Sequence, residues 1–302
     1  MEQSWKQAKA VFAAALGPPL VWLVLFFLAP MAIVWAYSFG HNAGLTEIEI
    51  TGTFHNYARA IEPLYLKIFL KSAWVAALTT ALCLVAGFPV ALAITFASDK
   101  AKAWLLLLIM LPFWTNLLIR TYALIAVLRT EGYVNQGLEW LWNGGSGLAA
   151  LVGLQPFGDF QPLGLLHNNF AVILGLVYVH LPFMVLPLYS ALDRLDKSLL
   201  EASLDLGAGH LRTIFKVVVP LAIPGIASGV LITFIPALGA YLTPDLLGGP
   251  DSQMIANVIE RQFKRANDWP FGAAMSFLLM YLTFIAIAIQ AVLAKKTPEA
   301  KG

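Results

Sequence analysis

Long stretches without a charged residue divide this chain. Five are uninterrupted: Ala10 to Thr46, Ser72 to Ser98, Phe160 to Leu192, Val217 to Pro244 and Trp269 to Ala294. A sixth, Ala103 to Leu128, is broken only by Arg120. A helix of roughly 20 apolar residues crosses the ~30 Å hydrocarbon core of a bilayer, and each stretch is long enough to do so. The pattern predicts an all-α membrane protein with six transmembrane helices, over approximately residues 11–38, 71–97, 103–128, 168–192, 217–243 and 271–294. One further gap, Trp140 to Gly158, contains Asn143, Gly144, Gly145, Ser146, Gly147, Gly153 and Pro156. Such residues open a helix where lipid cannot satisfy its backbone, so the segment is expected to be a loop with at most a short interfacial helix.

The first apolar run follows Lys6 and Lys9, as in a secretory signal, but Val11 to Tyr37 is far longer than the apolar region of about 7 to 15 residues that such signals carry. It is expected to stay as an anchor. Orientation follows from where lysine and arginine fall. The amino terminus, the 99–102 turn, the 193–216 segment and the carboxyl terminus hold 11 of them; the opposite connections hold 6, with Lys71 and Arg120 at or inside spans. Both termini are therefore expected to be cytoplasmic. The longer outer connections carry ten acidic residues.

Composition removes most other classes. Hydrophobic residues are 59% of the 302, and charged residues only 12%, about half the share of a soluble domain. The net charge of +2 is not gathered into a basic patch, so nucleic acid is not expected as a partner. Cys83, the single cysteine, excludes an internal disulfide and a cysteine-rich metal site. Eleven prolines lie within or at the edges of the spans, which predicts bent helices with carbonyls freed for other partners. No G-x-x-x-x-G-K-[ST] loop or H-E-x-x-H pair is present, so the chain has no phosphate cradle or zinc-protease motif of its own. Nor do the spans hold buried Asp or Glu, which argues against an ion-coupled carrier.

The 193–216 segment carries the densest signal. Ser198 and Glu201 have the spacing of a capping box, which predicts a helix start at Ser198. Leu199, Ala202 and Leu206 share one face, and Gly207 and Gly209 are placed to end the helix. A second short helix with Arg212 and Lys216 would lead into the next span. Glu201-Ala202-Ser203, three residues, Gly207, nine residues, Val217, one residue, Val219-Pro220 resembles the "EAA" loop of ABC importer permeases, with Ser203 where that family usually has alanine. LPFWTNLLIRTY (111–122), LPFMVLPLY (181–189), PALGAYLTPDLLGG (236–249) and NDWPFGA (267–273) are similar to the spermidine/putrescine type of such permeases.

That resemblance implies the ABC importer permease (MetI-like) fold in a bacterial inner membrane. It implies that Glu201, Ala202, Ser203 and Gly207 dock on an ATPase. The implied partners are a second permease subunit in a heterodimer, two cytoplasmic ABC ATPase subunits and a periplasmic solute-binding protein, besides the lipid bilayer. No cofactor would bind this chain; ATP and Mg would be used by the ATPases, and the chain would not be an enzyme. The implied solute is a polyamine, or alternatively another amine, an amino acid or an opine-like compound.

A flexible polycation needs carboxylates and aromatic faces along its path. Tyr241 and Asp245 are the resemblance-based candidates; an interfacial aromatic and a turn-forming aspartate are their plainer roles. Trp114 and Asn116, beside Pro112, are further pathway candidates, with packing as the alternative for Trp114. Arg120 would cost about 2.5 to 3.5 kcal/mol at a span centre, so it is expected to form a structural or gating pair with Asp245 or with an acid of the partner subunit. His180 and Trp269 read as a hydrogen-bonding packing residue and an interfacial anchor.

Overall fold

The computed structural model describes residues 9–44, 47–151 and 158–295. Lys6, Thr46, Gly153 and Pro156, named above, and Lys296 and Lys301, counted among the carboxyl-terminal lysines, lie outside the described residues. The chain divides into two compact units, Met1–Leu66 with Ile259–Leu282, and Lys67–Val258 with Thr283–Gly302.

In the first unit α1 (Lys9–Leu23) passes through a π-helical turn (Val24–Leu28) into α2 (Ala29–Tyr37). Strands β1 (Gly40–Asn42) and β2 (Ile48–Ile50) pair antiparallel with Gly40 opposite Ile50. Asn56, buried on α3 (His55–Ala60), donates to the carbonyls of Ser38 and Gly40 at 3.1 and 2.7 Å and so ties this ribbon down. Arg59 bonds Asp268 at 2.7 Å while its guanidinium lies 3.9 Å from the centroid of Phe271, so its charge is held by a carboxylate and an aromatic face together.

The chain continues through α4 (Pro63–Thr95), α5 (Asp99–Met110), a 3-10 turn (Leu111–Trp114), α6 (Leu117–Leu128), α7 (Tyr133–Leu151) and α8 (Asn169–Leu192). Then come the short α9 (Lys197–Asp205) and α10 (His210–Thr213), a second π-helical turn (Ile214–Val218), α11 (Val219–Leu221), α12 (Ile223–Leu238) and α13 (Leu242–Leu247). A 3-10 turn (Pro250–Ser252), α14 (Ile255–Lys264) and α15 (Trp269–Lys295) complete it. By length and composition, four helices can cross a membrane: Val11–Tyr37, Pro63–Thr95, Asn169–Leu192 and Trp269–Gln290. Two bent pairs, Asp99–Trp114 with Leu117–Ser146 at 95° and His210–Leu221 with Ile223–Leu238 at 70°, bring the number to six if each is one span.

Prolines explain the bends. At the first, Pro112 sits in the 3-10 turn, Thr115 is extended, and Asn116 restarts the helix by accepting the Leu118 N–H at 2.8 Å. At the second, Pro220 and Pro224 flank Ala222. Both π-helical turns lie just before a proline, Pro30 or Pro220, and close with bonds from Ala29 to Val24 and from Val219 to Ile214. A proline ring crowds the carbonyl four residues back, Phe26 or Lys216, and the wider winding makes room for it.

α8 is the centre of the second unit. Cys83, Ala91 and Ile94 of α4 are buried against Met184, Val185, Leu188 and Leu192 of α8, with Val218 and Ala222 closing the cluster. α12 approaches α8 most closely where it has no side chain. A Cβ on Gly229 would lie 2.8 Å from the Met184 sulfur, and one on Gly225 would lie 2.9 Å from the Pro187 carbonyl. In a membrane, where hydrophobic burial does not hold helices together, such close contact between small residues does.

One expectation needs correction. The segment from Trp140 is not a loop: α7 runs through Asn143, Gly144, Gly145, Ser146 and Gly147 as far as Leu151. Each glycine costs about 1 kcal/mol in a helix, but packing on one face outweighs such preferences. Val134 packs against the buried cluster of Leu128, Ala171 and Leu247, while Asn135 bonds the Leu163 backbone in both directions, at 3.0 and 2.9 Å. Trp142 Nε1 donates to the Gly158 carbonyl at 2.8 Å.

Candidate functional site: the knob between α8 and α12

Residues 193–216 fold into a small knob built from α9 and α10. The helix start differs from expectation. Asp196, not Ser198, is the N-cap: its carboxylate accepts the Ser198 N–H at 2.9 Å, and α9 begins at Lys197. Both residues satisfy the preference for a short oxygen-bearing cap, and the carboxylate of Asp196 reaches the N–H two residues on. That bond holds the Asp196 carboxyl below the usual carboxylate range.

The helix end follows the expectation. Gly207 has φ +79°, its N–H bonds the Leu204 carbonyl at 2.9 Å, and the Ala208 N–H reaches back to Ser203 at 3.1 Å. The two bonds form a Schellman closure, which needs a left-handed residue and so favours glycine. Ser203 acts beyond a small-residue role. Its hydroxyl lies 3.0 Å from that of Thr213, which is buried, and the bond ties α9 to α10 across the turn. The sequence reading missed Thr213, since nothing in a ten-residue spacing signals the contact.

The apolar stripe Leu199, Ala202 and Leu206 is present, but it faces away from the bundle: all three residues are exposed, Leu206 by 88%. Leu200 and Ser203 form the inward side instead. Glu201 and Gly207 are exposed beside the stripe. The knob thus presents an apolar strip flanked by a carboxylate, on a base fixed by a cap, a Schellman turn and the Ser203–Thr213 bond.

The other candidates sit at helix breaks. Trp114, 74% exposed, and Asn116 flank the α5–α6 bend; the Asn116 amide oxygen serves as the α6 cap. Tyr241 and Asp245 flank the α12–α13 break, where the Tyr241 carbonyl accepts from Asn257 at 2.9 Å and from the Asp245 N–H at 3.0 Å. The Asp245 carboxylate is exposed in the first turn of α13.

Arg120 on α6 is only 9% exposed, and its Nε and Nη1 make no hydrogen bond among the described residues. The expected ion pair with Asp245 does not form in this chain. Thr243 and Leu247 are the α13 residues that pack on α8, at Gly175, and Asp245 lies on the other side of that helix. His180 Nδ1 is 2.8 Å from the Leu176 carbonyl, and Arg120 is near enough to act on it electrostatically. Among the described residues no group of His, Cys, Asp and Glu is arranged to hold a metal ion.

Comparison with known proteins places this architecture. A family described as binding-protein-dependent transport system inner membrane component matches residues 84–298. The chain is 42% identical over 259 residues to the spermidine/putrescine transport system permease protein PotB of Escherichia coli, covering 85% of this chain and 88% of the relative. Among solved structures, a bacterial ABC transporter that imports the acidic polysaccharide alginate has a chain of the same fold, with TM-score 0.70, 15% identity and coverage of 98% of this chain and 99% of that one. A second crystal structure, of the alginate transporter in complex with its pentasaccharide-bound periplasmic protein, gives TM-score 0.65 at 16% identity, covering 96% of each chain. The chain is an all-α inner-membrane protein with the ABC importer permease fold, and it belongs to the binding-protein-dependent transport system inner membrane component family.

Proposed function

We propose that this chain is one permease subunit of an ATP-driven polyamine importer, forming half of the pathway for spermidine, putrescine or a closely related cation. The solute class is supported by the 42% identity to PotB, which extends over 85% of the chain. The mechanism is supported by one structural observation: Leu199, Ala202 and Leu206 form an exposed apolar strip, uncovered among the described residues, on a knob fixed by the Ser203–Thr213 bond. An exposed strip of this kind, rimmed by charge, marks a protein contact.

In this reading both termini and the knob are cytoplasmic, as the lysine and arginine bias implies. The strip and Glu201 dock on an ABC ATPase subunit, and a second permease completes the pathway. ATP and Mg are used by the two ATPases. When they close, the Ser203–Thr213 bond keeps α9 and α10 moving together, and the second π-helical turn passes the motion into α12. A periplasmic solute-binding protein delivers the solute to the opposite side, where Tyr241, Asp245, Trp114 and Asn116 line its route at the two helix breaks.

The test is reconstitution with the partner permease and ATPases. Leu206→Glu and Glu201→Ala should each cut solute-stimulated ATP hydrolysis by about tenfold, a loss of ~1.4 kcal/mol of coupling. Membrane insertion should be unchanged, as expected of substitutions at exposed positions. Unaltered stimulation in both variants would remove the knob from the mechanism.

A further inference from the structure

Between the knob and the end of α4 lies an apolar groove of about 420 Å³. Leu92 and Ala93 of α4, with Phe96 just beyond its end, form the α4 wall; Leu200 and Leu204 of α9, with Ile214 and Val218 of the second π-helical turn, form the other. The surface it offers is apolar throughout. Its volume falls within the ~300–1,000 Å³ of small-molecule sites.

We propose that this groove holds an acyl chain of an anionic membrane phospholipid. Two observations select that occupant. The α4 wall belongs to the last turn of a helix long and apolar enough to cross a membrane, so the groove sits at the end of that apolar stretch, where a bilayer's hydrocarbon would give way to its headgroups. The facing wall changes character along its length: α9 carries the exposed Glu201 and Asp205, whereas the chain from Leu206 to Pro244 contains His210, Arg212 and Lys216 and no acidic residue. His210 lines the groove, and Arg212 and Lys216 are exposed one helical turn apart beside it. A diacyl lipid with a negative headgroup matches the carbon-lined cleft and, at the α10 end of the wall, the basic edge made by His210, Arg212 and Lys216, whereas a peptide would leave its backbone unpaired there. The site stands on this geometry. Its consequence, that the lipid wedges α9 against α4 and so tunes energy coupling, rests on the proposed docking of the ATPase.

The test uses the complete transporter in nanodiscs of phosphatidylcholine containing phosphatidylglycerol with a photoactivatable diazirine on one acyl chain, followed by peptide mass spectrometry. Labelling is expected within 92–96 and 200–218. It should fall about fivefold for each of Arg212→Gln and Lys216→Gln, the effect of removing ~1 kcal/mol per basic residue near an anionic surface. Ala93→Trp, which fills the groove, should abolish it. The same diazirine chain carried by phosphatidylcholine should label the wild-type groove several-fold less, a comparison that needs no variant to fold. Equal labelling by the two headgroups, or label spread over lipid-facing helices without enrichment at the groove, would overturn the proposal. Co-purification of the ATPase, measured in parallel, reports on docking alone: its loss from the wild type would sink the coupling reading and leave the lipid result standing.

Discussion

α8 and α9 both carry a regular apolar face, and the two faces have opposite fates. That of α8 is matched inside the chain, by α4 on one side and by the glycine-bearing face of α12 on the other. That of α9 is left open. Apolar periodicity says that a face will be covered, without saying by what. The difference is written in the small residues: Gly87, Gly225 and Gly229 let backbones meet at α8, and the outer side of α9 has no counterpart. The amino-terminal helix sharpens the point. Its most apolar 18-residue window is wholly unburied, where the equivalent window of α8 is half buried, and a Cβ on Gly17 would meet nothing within 4 Å.

The largest effect is expected from Gly229→Leu, which forces a side chain into Met184. Overpacking should cost about 3 kcal/mol, seen as a lower melting temperature in detergent and less protein in the membrane. Gly17→Leu should leave both unchanged, and equal damage from the two would erase the contrast between matched and unmatched faces. Arg120→Leu acts in the opposite direction. Because two of its donors are buried without partners among the described residues, removing the charge should stabilise the isolated chain by about 2.5 kcal/mol. The assembled transporter should gain less if an acid of the partner permease reaches Arg120, and a melting comparison of chain and complex separates the two.

Smaller effects belong to the knob. Gly207→Val should cost about 1 to 2 kcal/mol locally, the penalty for a branched residue at a left-handed position, and should lower ATPase stimulation without reducing the amount of protein in the membrane. The smallest concerns pH. Since the Ser198 N–H holds the Asp196 carboxyl below its ordinary value, the cap is fully effective above about pH 4 and is lost as the pH falls through the lowered value. Amide exchange in α9 should rise over that acid range in the wild type and not in Asp196→Asn, which caps without titrating.

Much of this was legible in the residues. Gaps between charges located the apolar segments because a bilayer admits few alternatives, and Gly207 announced its own turn. Three things were hidden for physical reasons. The helix through Gly144 and Gly145 is anchored at its start by the bonds of Asn135 to Leu163, 28 positions away, and by Val134 on the Leu128, Ala171 and Leu247 cluster, which local preference does not report. The cap position is ambiguous in the residues because Asp196 and Ser198 offer the same chemistry two residues apart. The direction of the Leu199–Leu206 stripe was not encoded in its spacing at all.

The two wide turns have a consequence for how such a chain tolerates changes of length. Each stores a spare residue in its winding. Removing Phe215 would tighten Ile214–Val218 toward ordinary helical pitch while α12 still showed its glycines to Met184, at the expense of room for the Pro220 ring. The same deletion inside α12 would swing everything beyond it by about 100° and turn that glycine edge away. Drift in length can therefore be absorbed just ahead of Pro30 and Pro220, and the stretches between them must keep count.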